Sequence, residues 1–138
     1  MKIIQEQYDV LTRRYERAVE DAKFATTARQ REISNNELKS YDAILNEIEI
    51  LENPNSNTIT LGSKFSVIMS DYGFKQEGNY VISESAIGAG GYEAVLPNSP
   101  MGQAVIGKQE GDKFSYDVVG KIYVGSIGKV YTAKQKTI

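Results

Sequence analysis

All twelve glycines and all three prolines of this 138-residue chain lie after residue 53. Over the first 53 residues nothing stops a helix outright, and nothing offers a tight turn for free. The remainder is rich in turn-forming residues. This partition divides the chain into a helical part, 1–53, and a strand-rich part, 54–138, joined at Asn53-Pro54-Asn55-Ser56-Asn57.

In the first part Ile4, Tyr8, Leu11, Tyr15, Ala18, Ala22 and Ala25 recur at steps of four and three, the heptad spacing of a coiled coil. Tyr41, Ile44, Ile48 and Leu51 repeat that spacing on a second run. Between the runs, Ser34 and Glu37 form S-x-x-E, the pattern of a capping box, with Ile33 and Leu38 at hydrophobic-staple positions. The pattern predicts a helix over 3–30, a turn at about 30–35, and an antiparallel second helix over 35–52. The first would be roughly 40 Å long and the second roughly 27 Å, so the first overhangs and packs on the strand-rich part. The tyrosines of both runs, Tyr8, Tyr15 and Tyr41, read as seam packing.

In the second part strands are predicted at 59–61, 64–70, 80–84, 92–96, 113–119 and 121–124. Turns are expected at Asp71-Tyr72-Gly73 and Glu77-Gly78-Asn79. The piece 127–132 extends the last strand or adds a short one, and the polar tail AKQKTI frays. Pro97 to Phe114 reads as loop, short helix, turn and strand. Ser99 caps the helix, Pro100 takes its first position, and Gly107 ends it in a left-handed conformation. The fold class is therefore α+β: an antiparallel helical hairpin, then an antiparallel sheet with one short helix.

Composition narrows the chemistry. With no cysteine and no histidine, thiolate and imidazole chemistry is excluded, and with it the commonest metal ligands. A net charge of −2 gives no global pull toward nucleic acid. No apolar run spans a membrane and the first residues lack the apolar core of a signal peptide, so a cytoplasmic site is expected. Gly88-Ala89-Gly90-Gly91 lacks the Gly-Lys-Ser/Thr ending of a phosphate loop and reads as a strand connection. The predicted hairpin tip carries Arg29, Arg31, Glu32 and Glu37, charges presented far from the body of the molecule.

Together, a helical hairpin and the stretch NSPMGQAVIGKQEGD resemble the Gre transcript-cleavage factors of bacteria. Ser99-Pro100-Met101-Gly102, Ala104-Val105-Ile106-Gly107-Lys108 and Gly111-Asp112 match a motif of their C-terminal domain, and Ile59 to Val67 resembles that domain's opening. The resemblance implies an FKBP-like C-terminal domain that docks on bacterial RNA polymerase, through Ser99, Pro100, Met101 and Gly102. It implies a hairpin inserted in the secondary channel, with Arg29 and Arg31 toward RNA phosphates and the RNA 3′ end approached indirectly. Association with DNA would come with the transcription complex. Glu32 and Glu37 are the candidate catalytic acids. No cofactor is the chain's own, and Mg²⁺ would be the polymerase's, two-metal phosphodiester hydrolysis being the implied chemistry. Cleaving members carry D-x-x-E-N-A/S-E-Y at the tip; here Arg31 and Ser34 stand where its first two acids belong, and the second helix is about two turns shorter. The alternatives are a non-cleaving Gre-like regulator, an FKBP-like prolyl isomerase, and a module dimerising through the hairpin seam. A monomer is expected.

Overall fold

The computed structural model describes residues 1–54, 56–71 and 74–131. Asn55, Tyr72 with Gly73 of one expected turn, Thr132 at the end of the last expected strand piece, and the tail AKQKTI lie outside the described residues. The architecture is α+β. A short strand β1 (Lys2–Ile4) leads into α1 (Gln5–Lys23), α2 (Ala28–Asn46) and β2 (Glu49–Leu51). There follow β3 (Lys64–Asp71), β4 (Phe74–Ile82), β5 (Glu93–Val95), α3 (Pro100–Val105), β6 (Lys113–Val118) and β7 (Lys121–Tyr131).

The hairpin forms, but in another register. Helix α1 stops at Lys23, and the turn is Phe24 to Thr27 rather than 30–35. Thr27 is the N-cap of α2: its hydroxyl accepts from the Gln30 amide at 3.1 Å, while Gln30 Oε1 accepts from the Thr26 amide at 3.2 Å. The Ser34–Glu37 capping box is therefore corrected, since both residues lie inside α2. The expected first residues of α1 and last residues of α2 are instead β1 and β2, paired in parallel from Lys2↔Glu49 to Ile4↔Leu51. Each helix has 19 residues, so each is about 28 Å long. Tyr15 meets Tyr41 edge-on at 6.4 Å, and Leu11 and Ala18 are buried in the seam.

The second part is a five-stranded sheet in the order β5-β4-β3-β7-β6. It is mixed rather than antiparallel: β4 and β5 run parallel, from Tyr80↔Glu93 to Ile82↔Val95. Glu77-Gly78-Asn79 is no turn but the middle of β4, where the Tyr80 ring covers Gly78. The segment 59–61 is not a strand; Ile59 instead exchanges backbone hydrogen bonds with Gly107 and Lys108. The two last expected strand pieces are one strand, β7. The core lies on the face covered by α3: Phe65, Val67, Ile82, Val105, Phe114, Ile127 and Val130 are all buried.

The root of the hairpin is fastened to this domain by polar side chains. Gln7 is fully buried; its Oε1 accepts from Ser83 Oγ at 2.6 Å and from the Ile4 amide at 3.2 Å. Its Nε2 donates to the carbonyls of Ser85 and Ile87. Beside it Lys64 Nζ, almost fully buried, meets Glu6 Oε1 at 2.7 Å and lies 5.4 Å from the Tyr92 ring centre. A buried amide satisfied at both ends fixes orientation as well as position.

Candidate functional site

Two places carry the sequence-predicted residues: the free end of the hairpin and the first turn of α3. At the hairpin end the turn residues are Phe24, Ala25, Thr26 and Thr27, all uncharged. Phe24 and Ile33 are exposed, 72% and 58%. With Asp21, Ala25, Gln30 and Ser34 they line a shallow hollow of about 250 Å³. The tip is therefore apolar and hydroxylic.

Arg29, Arg31, Glu32 and Glu37 are all exposed on α2, behind that tip rather than on it. None of the four is in an ion pair among the described residues. Glu32 and Glu37 are five positions apart in one helix, hence about 140° apart around its axis and about 7.5 Å along it. Two carboxylates so placed do not converge on one cation. Further back, the Asp42 carboxylate beside the Tyr15 phenol raises its pKa above the usual tyrosine value, by its charge first and by a hydrogen bond second.

The α3 motif is largely spent on building itself. Ser99 Oγ accepts from the Gly102 amide at 3.1 Å and donates to the Leu96 carbonyl at 2.7 Å. Gly102 is buried against that carbonyl, where a Cβ would come within 2.1 Å of the Leu96 oxygen. Gly107 has φ +89°, as expected of the left-handed helix end, and its amide donates to Ile59 O. Asp112 Oδ2 accepts from the Gln109 amide, and Glu110 Oε1 from the Val130 amide. Of the four predicted docking residues, Ser99 and Gly102 thus hold the turn, Met101 packs on the core, and Pro100 is exposed.

Two features were not singled out by sequence reasoning. One is the Gln7 anchor, whose only sequence signal is a glutamine where the heptad leaves a flanking position. The other is an aromatic hollow of about 210 Å³ between Met69, Tyr80, Tyr116, Ile122 and Tyr123, in which Tyr116 and Tyr123 stack at 5.2 Å. Burial raises the pKa of Tyr80 and Tyr116, with Glu93 adding to the first and Tyr80 and Tyr123 to the second.

No protein-family model matches the chain, and no curated protein matches it. Solved structures do. The likeness is to Gre-type factors. Gfh1 of Thermus aquaticus is similar at 20% identity and a TM-score of 0.45, over 95% of this chain and 97% of that one. Gfh1, the GreA factor homolog 1 of Thermus thermophilus, is similar at 20% identity and a TM-score of 0.43, over 95% and 98%. The elongation factor GreA/GreB of Nitrosomonas europaea is similar at 18% identity and a TM-score of 0.40, over 94% and 98%. Among the described residues no helix is long and apolar enough to cross a membrane.

Proposed function

We propose that the chain is a Gre-type transcription elongation factor that binds RNA polymerase in the cytoplasm and acts by occupying the secondary channel, without promoting RNA cleavage. The observation that carries this reading is the hairpin: two helices of 19 residues fixed at their root and ending in Phe24-Ala25-Thr26-Thr27. Such an end fills space and presents apolar surface. Stabilising a second Mg²⁺ beside an anionic transition state needs converging carboxylates. Here Glu32 and Glu37 diverge, so the pair is poorly placed to hold such an ion. The α3 motif supports docking of the β domain, with Pro100 as its exposed residue and Ser99 and Gly102 setting its shape. Arg29 and Arg31, exposed near the end, suit the phosphate-rich surroundings of such a channel.

Binding is tested with core polymerase and a fluorescently labelled chain. Saturable binding, displaced by a cleaving Gre factor, is expected; absence of binding, or binding that such a factor leaves untouched, counts against the proposal. The tyrosine hollow favours a second reading, a prolyl isomerase with an aromatic floor. Turnover of a prolyl peptide, abolished by Tyr116→Ala, would support that reading instead.

A further inference from the structure

Strand β6 forms one edge of the five-stranded sheet. Ile127 N donates to Asp112 O, and the register continues through Phe114↔Gly125, Tyr116↔Tyr123 and Val118↔Lys121. In an antiparallel ladder the residues bonded to one neighbour alternate with those facing away. The even-numbered residues of β6 are thus bonded to β7, and Lys113, Ser115 and Asp117 turn their backbone N–H and C=O outward. No backbone group of these three is bonded outside the β6–β7 ladder among the described residues. Their side chains share the face opposite buried Phe114, and all three are exposed. Beside the edge runs an open groove of about 610 Å³, lined by Gln103, Ala104, Phe114, Ser115 and Val124.

An open edge invites another strand, and charges on it normally discourage pairing. Here the charges have opposite sign and stand four residues apart on one face. If the edge meets a copy of itself antiparallel, with Ser115 opposite Ser115, then Lys113 falls opposite Asp117 twice. The same register makes all three outward residues hydrogen-bonded pairs, with about six backbone bonds. Phe114 stands opposite Tyr116 on the other face. Shifting the register by two residues breaks the charge match, and a parallel pairing loses it altogether.

We propose that β6 is a self-complementary edge through which two copies of this chain join, their five-stranded sheets forming one continuous sheet about a two-fold axis at Ser115. The occupant of the edge is a second copy because the charge pattern complements itself. The hairpin, fastened near Ser83 and Ile87 beyond β4, stays free on each copy. A six-residue edge buries little area, so the association is weak and salt-sensitive. The chain is a monomer when dilute.

Sedimentation equilibrium at low salt, over roughly 10 µM to 1 mM of the full chain, tests this. The mass is expected to rise from 15.3 kDa toward twice that value. Lys113→Glu alone, and Asp117→Lys alone, place like charges opposite each other and weaken self-association by about tenfold or more. Mixing the two variants restores it, because each charge then faces its opposite on the other chain. Ser115→Pro, whose N–H points away from β7, blocks association while far-UV circular dichroism stays unchanged. Asp117 also accepts from the Gly120 amide, so the melting temperature of that variant is checked first. A mass fixed at 15.3 kDa throughout, a dimer unmoved by either charge reversal, or folded variants that fail to associate when mixed would each overturn the proposal.

Discussion

The β domain and the helical hairpin solve the problem of staying folded in opposite ways. In the β domain the cluster around Phe65, Val67, Ile82 and Val105 is closed to water, and residues distant in sequence meet there. In the hairpin, α2 has no buried residue, and α1 buries only Gln7, Leu11 and Ala18. The domain is held by its centre, the hairpin by its root. An element with few buried contacts opens locally well below the global free energy. The difference fits the proposal that the domain docks and the hairpin enters a channel.

The largest break in this comparison should come from Gly102. Gly102→Val drives a side chain into the Leu96 carbonyl and should cost about 3 kcal/mol or more, read as a large fall in the melting temperature of the whole domain. Next is Gln7→Ala, which takes their Gln7 partner from the Ile87 carbonyl and the Ile4 amide, and one of two partners from the Ser85 carbonyl and the Ser83 hydroxyl. A cost of about 2–3 kcal/mol is expected. Hydrogen exchange should speed up in α1 and α2 while β3 and β7 keep their protection; equal acceleration everywhere would mean that the two regions unfold as one. Gly107→Val should cost about 1–3 kcal/mol, because φ is +89° there although the space around it is open.

At the hairpin end the effects shrink. Thr27→Ala removes the true cap and should cost about 0.5–2 kcal/mol in helix α2, whereas Ser34→Ala and Glu37→Ala should leave the melting temperature unchanged. The smallest effect is alkaline. Tyr15, Tyr80, Tyr92 and Tyr116 all have raised pKa values, Tyr15 through Asp42 and the other three chiefly through burial. The folded chain holds these protons more tightly than the unfolded chain does. Their contribution is full below about pH 10, the unfolded value, and is lost as pH rises through the raised values. Asp42→Asn should bring the Tyr15 titration, followed by ultraviolet absorbance, back toward the ordinary value.

Much of this was legible in the residues, and what was not has physical causes. The glycine partition set the two long helices apart from the five-stranded sheet, although β1 and β2 fall on the helical side, and Ser99-Pro100 with Gly107 placed α3 at both ends. The hairpin turn was misplaced because two cap signals compete. Thr27 with Gln30 and Ser34 with Glu37 have the same spacing and lie seven residues apart, one heptad, so the seam periodicity accepts either. What decides is distant: the β1–β2 pairing fixes the root, and the Tyr15–Tyr41 contact fixes the register. Gly78 was read as a turn because nothing local says that the Tyr80 ring covers it within β4. The corrected turn also moved the candidate acids: Glu37 left the cap, and Glu32 left the tip. Arg29, Arg31 and Pro100 remained on the surface, while Ser99 and Gly102 build the α3 turn and Met101 packs on the core.

The most direct test of occupancy without cleavage is an RNA cleavage assay on backtracked elongation complexes, run with this chain alone and then in competition with a cleaving Gre factor. Alone, the chain should leave the RNA intact at saturating concentration, and Glu32→Ala and Glu37→Ala should change nothing. In competition it should slow cleavage by the other factor in proportion to its occupancy. Robust cleavage by this chain alone, lost in Glu32→Ala or Glu37→Ala with the fold preserved, would contradict the account.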